Sequence, residues 1–126
     1  DIASLSKRLL VIMNHEKRRF REKVDYITSP GYGSGGNWRE EQGLLRGGIG
    51  TLITTLGLMK PDPVTKELEL ISVHPGITEE EVTENTGWDI KISPNLIETA
   101  PPSAEELHVI RKIDPEGFWT GKKKGD

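Results

Sequence analysis

The sequence predicts an α/β fold, in which buried strands alternate with short helices. Three observations carry that prediction. LLVIM at residues 9–13 is a near-continuous apolar run bounded by charge, the pattern of a strand covered on both faces. TLITTLGLM at 51–59 and KELELISV at 66–73 are rich in β-formers and flank Pro61-Asp62-Pro63, which reads as a hairpin. Thr78 followed by Glu81, and Ser103 followed by Glu106, have the spacing of helix-opening capping boxes.

Taken in order, residues 1–7 place Ile2 and Leu5 on one face and are expected to be the end of a helix. The strand at 9–13 runs into Asn14-His15-Glu16-Lys17-Arg18-Arg19, so a buried strand delivers a basic edge to a surface. Residues 24–28 (VDYIT) are expected to form a second strand. From 29 to 50 glycine dominates, and the spacing predicts a long loop with a helical turn at 38–42. Loops of that length are usually functional or covered by a partner. The helix opened by Thr78 should be stapled by Ile77 and Val82 and stopped at Gly87. WDIKI at 88–92 alternates as a strand does. The helix from Ser103 carries Leu107, Ile110 and Ile113 as a narrow apolar stripe and ends at Asp114-Pro115. Phe118 and Trp119 are expected to dock back, and residues 120–126 to form a disordered tail.

Composition narrows the function classes. At 126 residues the chain is one domain or less, and no linker divides it. Its apolar fraction is about 44% with glycine counted, just under the usual globular range of roughly 45–50%, so its own core is modest. With no cysteine, disulfides, thiolate-bound metal and a thiol nucleophile are excluded. A net charge of −3 gives no global attraction for nucleic acid. No apolar run approaches the roughly 18 residues of a membrane span, and a cytoplasmic protein is expected. The opening Asp1-Ile2, with a strand inside the first turns, gives the expectation of a segment of a longer polypeptide.

Residues 15–23 (HEKRRFREK) are the dense basic segment. They read either as a phosphate contact, to which arginine is well suited, or as a solvated edge on which Glu16 and Glu22 pair their neighbours. GYGSGG at 31–36 lacks the pattern of a nucleotide loop. His15, His74 and His108 lack metal-ligand spacing, and no GxSxG elbow is present. Among the glutamates only Glu16 stands at a strand end, and its basic neighbours suit an ion pair better than a nucleophile.

Four stretches carry a family resemblance: IMNHEKRRFREKVDYITSPGY at 12–32, TLITTLGLMKPDPVTKELELISVHPGIT at 51–78, EEVTENTGWDIKISP at 80–94, and PPSAEELHVIRKIDPEG at 101–117. In that order the chain resembles the C-terminal half of the B subunit of glutaconate- and 3-oxoacid-type CoA-transferases. The resemblance implies an open, mostly parallel sheet with flanking helices, present as an incomplete half-domain over residues 1–126. It implies a homologous A subunit as partner, together with the missing N-terminal half of its own subunit. The implied activity moves CoA between an acyl-CoA and a free carboxylate through a glutamyl-CoA intermediate. Coenzyme A is then a substrate and no further cofactor is needed. The family's catalytic glutamate and its glycine loop match no residue here, and the GSGG at 33–36 is not that loop, so no catalytic residue is assigned. Arg18, Arg19 and His15 are the candidates for contact with CoA. A hydrolase branch of the same fold, which opens CoA-thioester rings, shares the VHPG at 73–76 and the IDP at 113–115; it stays as the alternative, beside a non-catalytic remnant that stabilises a partner.

Overall fold

The apolar run at 9–13 becomes the edge of a five-stranded sheet ordered β1-β2-β3-β4-β5 in the computed structural model, which describes residues 2–121. The strands are β1 (Leu9–Met13), β2 (Ile49–Thr54), β3 (Gly57–Pro61), β4 (Leu68–Val73) and β5 (Lys91–Glu98). β1 pairs parallel to β2 and β4 parallel to β5, while β3 is antiparallel to both its neighbours. Four strands therefore run one way and only β3 is reversed. The expected open α/β sheet is present, and its mostly parallel direction is realised as a mixed ladder around a central hairpin.

The register aligns Val11, Leu52, Met59, Leu70 and Ile92 across one face. Directly paired residues share a face, so this row is the core. Met59 and Leu70 are fully buried, and Phe20, Val82 and Ile90 cover them. The helices are α1 (Ile2–Leu5), α2 (Trp38–Glu41), α3 (Glu79–Glu84) and α4 (Ala104–Ile113). Thr78 opens α3 by accepting from Glu81 N at 3.2 Å, and Ile77 and Val82 both enter the core. α4 has the complete capping box: Ser103 Oγ accepts from Glu106 N at 3.2 Å, and Glu106 Oε2 from Ser103 N at 2.8 Å. The Pro61-Asp62-Pro63 turn is fixed by Asp62, whose Oδ1 accepts from Val64 N and Thr65 N, both at 2.8 Å. Lys91 Nζ reaches its other oxygen at 2.7 Å, and these bonds, Lys91's foremost, hold the carboxyl far below its usual range.

Four expectations are corrected. Residues 51–59 are two antiparallel strands, β2 and β3, because the Thr54 side chain closes a turn between them. Residues 24–28 are no strand: Val24, Tyr26 and Ile27 are exposed and have no ladder partner, so β-propensity has nothing to act on. The strand expected at 88–92 begins at Lys91, because Gly87 bridges Arg21 and Trp88 stacks on Phe20. It then passes through Pro94 at a break in register with β4, a placement an edge strand tolerates. Phe118 and Trp119 pack edge-on against each other and are exposed; Asp114 accepts from the backbone of residues 118–120 and holds that turn out on the surface. The tail expected at 120–126 lies, from residue 122 on, outside the described residues.

Candidate functional site

Because β1, β2, β4 and β5 run the same way, their carboxyl ends open on one side of the sheet, where open α/β sheets keep their ligands. Just beyond those ends stand His15, Thr55, His74 and Thr99, and a polar network ties them. His15 N donates to Thr55 Oγ1 at 3.0 Å. Its ring faces Thr54 Oγ1 through Nδ1 (3.2 Å) and Thr86 Oγ1 through Nε2 (3.0 Å). Thr86 gives its hydroxyl proton to Val82 O at 2.8 Å. Thr54 Oγ1 gives its own proton to Gly57 O at 2.9 Å in the same way, so each ring nitrogen faces a hydroxyl oxygen whose proton is turned to a backbone carbonyl. The ring is 5% exposed and stacks on Phe20 with centroids 3.9 Å apart. Burial pushes its pKa below the ordinary imidazole value. His74 Nε2 donates to Thr54 O at 2.8 Å, and its Nδ1 meets Thr99 Oγ1 at 3.2 Å. It stands at the corner between β4 and α3.

Two inward residues, His15 and Phe20, anchor the basic segment, and its charges point outward. Arg18 Nε bonds Glu16 Oε2, and Arg19 Nε lies 3.5 Å from the same oxygen. Arg18 first, and Arg19 with it, hold the Glu16 carboxyl below its usual range. The three candidates thus separate. Arg18 and Arg19 are exposed and share one carboxylate, whereas His15 lies beneath them with both ring nitrogens engaged. Beside them a concavity of about 430 Å³ is lined by Lys17, Arg21, Glu22, Lys23 and Gly87. The sequence brings the first four together; Gly87 arrives from beyond the end of α3, which stops at Glu84 with Asn85 as its cap, and the sequence marks it only as a helix stop.

The chain leading into the amino ends of β1 and β2 is fixed by Arg39, which sequence reasoning missed. It donates to Pro30 O (3.1 Å), Gly31 O (2.6 Å), Ser4 O (2.5 Å) and Arg46 O, so one guanidinium ties α1 to both ends of the glycine loop. Gly33, at φ +57°, lies under the Trp38 ring, where a Cβ would fall 2.1 Å from it. The loop at 29–50 is thereby a packed element. Among the described residues no three His, Asp or Glu side chains converge as metal ligands do, and no helix is long and apolar enough to cross a membrane.

A buried polar network and a basic segment thus stand together at the carboxyl end of an open α/β sheet. The chain belongs to the coenzyme A transferase family, whose model matches residues 1–85. The B subunit of the 3-oxoadipate CoA-transferase of Pseudomonas knackmussii is 40% identical over 114 residues, 90% of this chain and 44% of that protein. The B subunit of the glutaconate CoA-transferase of Acidaminococcus fermentans is 40% identical over 109 residues, 84% of this chain and 40% of that protein. The crystal structure of the glutaconate enzyme superposes with a TM-score of 0.82 at 35% identity, over 91% of this chain and 45% of that one. The chain spans less than half the length of these relatives.

Proposed function

We propose that this chain forms part of the B subunit of a glutaconate-type acyl-CoA:carboxylate CoA-transferase, working with the rest of its own subunit and a homologous A subunit. In this reading a glutamate from outside the chain attacks the acyl-CoA carbonyl and CoA leaves as the thiolate. The thiolate attacks the resulting anhydride, frees the first acid and leaves a glutamyl-CoA thioester. The acceptor carboxylate then reverses both steps. Coenzyme A is a substrate, no further cofactor takes part, and the compartment is the cytoplasm.

Beside family membership, the observation that carries the reading is the basic segment held at the carboxyl end of β1 by the bonded, stacked ring of His15. CoA is a polyanion whose phosphates are remote from the reacting thioester, and remote binding energy can be used in the chemical step. In this proposal Arg18 and Arg19 meet CoA by exchanging Glu16 for a phosphate oxygen, and His15 contributes by fixing the loop that bears them.

The test is kinetic. The full encoded subunit, co-expressed with its A subunit, should transfer CoA from an acyl-CoA to a free acid with ping-pong kinetics. Release of free CoA at a rate independent of any acceptor acid would replace this reading with the hydrolase.

A further inference from the structure

We propose that the pocket lined by Lys17, Arg21, Glu22, Lys23 and Gly87 holds a phosphate group of a coenzyme A thioester. The inference rests on the CoA reading above and assigns that ligand's charge to residues outside the Arg18–Arg19 pair. At about 430 Å³ the concavity falls within the roughly 300–1,000 Å³ of small-molecule sites.

Its cations are uncommitted. Among the described residues the ion pairs are Arg18–Glu16, Arg19–Glu16 and Lys91–Asp62, and none involves Lys17, Arg21 or Lys23. A solvated charge run spreads its side chains or pairs them internally. Here Glu16 takes two arginines on one side of the turn, and the remaining three cations share a single hollow on the other. Glu22, the one carboxylate in the wall, leaves a formal charge of +2.

The hollow is also held in shape. Phe20 is buried between the His15 ring and Trp88, which fixes the backbone between Lys17 and Arg21. Gly87 N donates to Phe20 O at 2.8 Å, and Gly87 bridges Arg21. A Cβ at position 87 would stand 2.4 Å from Phe20 O, so the floor requires glycine. A cationic site whose backbone is already placed loses little entropy on binding. The neighbouring hollow shares Arg21 and Glu22 but adds Glu67 and Asp89, and those carboxylates turn an anion back toward Lys17 and Lys23.

The experiment is titration calorimetry on the full encoded subunit assembled with its A subunit, using CoA, 3′-dephospho-CoA and pantetheine. Lys17→Ala, Arg21→Ala and Lys23→Ala should each weaken CoA about 5- to 20-fold, as lost charge-assisted hydrogen bonds do, and leave pantetheine within about 2-fold. Glu22→Gln should tighten CoA about 3-fold, a gain that misfolding cannot imitate. Lys60→Ala, on the exposed face of β3, is the control for general charge. Loss on 3′-dephospho-CoA equal to that on CoA places the pyrophosphate in the pocket, and loss on CoA alone places the 3′-phosphate there. If wild type binds CoA and the pocket variants leave its affinity within about 2-fold, or weaken pantetheine equally, the pocket assignment is wrong and the transferase reading stands. If wild type binds no CoA, both fall together.

Discussion

Arg39 carries a buried charge, 6% exposed, with no carboxylate partner among the described residues. Its charge is met instead by the carbonyl oxygens of Pro30, Gly31, Ser4 and Arg46, and its guanidinium lies 5.9 Å from the centre of the Tyr32 ring. Arg39→Ala leaves those carbonyls unpaired and should cost on the order of 3 kcal/mol. A shift of the urea midpoint of the full encoded protein measures this, and a loss under about 1 kcal/mol would mean that water replaces the guanidinium. His15 gives a prediction in pH. Its folded pKa is lowered by burial from the ordinary 6.5, so as pH falls the unfolded chain takes up the proton first. The ring's contribution to stability is complete above the unfolded value, is lost as pH falls through it, and stops changing below the lowered folded value. Between pH 7.5 and 5.5 the melting temperature should drop more in wild type than in His15→Gln. Parallel pH profiles would show that the ring titrates as it does in the unfolded chain.

At the scale of the elements, the turn between β2 and β3 depends on one side chain. Thr54 Oγ1 accepts from Leu56 N and Gly57 N at 3.2 and 3.0 Å, and it faces His15 Nδ1. Thr54→Val keeps the shape and removes those bonds in a buried place, which should cost roughly 2–3 kcal/mol. Thr55→Val removes one bond at an exposed position, where water can take over, and should cost under about 1 kcal/mol. Equal losses in urea unfolding would contradict this assignment of the turn. The same turn shows where sequence reasoning stops. The helix caps at Thr78 and Ser103 were legible because a cap is made by residues three apart. The split of residues 51–59 was not, because β2 and β3 are equally rich in β-formers and a lone Thr carries no turn signature. VDYIT at 24–28 has strand composition, but a strand also needs a neighbour, and nothing local says that none comes. The basic segment was legible as a segment. Which of its cations are spent on Glu16 and which stay free depends on how His15 and Phe20 seat the turn against Thr86 and Gly87, which are distant in sequence.

For the whole molecule, the decisive asymmetry is between the two faces of the sheet. One is closed by Phe20, Val82 and Ile90. On the other the register sets Ile12 beside Ile53, Ile53 beside Leu58, Leu58 beside Ser72 and Ser72 beside Ile97; Ser72 is buried, but on the two outer strands Ile12 is 78% and Ile97 65% exposed. Leu10 adds to that row, β1 has no strand on its outer edge among the described residues, and Ile110 and Ile113 of α4 are exposed as well. Burying an aliphatic side chain is worth roughly 1.5–3 kcal/mol, so Leu10, Ile12 and Ile97 together approach the net stability of a small domain, about 5–15 kcal/mol. Left open, such a face and edge are a template for association. The 126-residue chain expressed by itself should therefore self-associate, with light scattering rising steeply with concentration. Ile12→Lys with Ile97→Lys should suppress that association while leaving the core face, and with it the far-ultraviolet circular dichroism, unchanged. On the proposed function, the same two lysines should weaken assembly of the full encoded subunit with its A subunit, because the surface they disrupt would there be an interface. A wild-type chain that is monodisperse, monomeric and melts cooperatively would show that this face is stable in water and needs no covering partner.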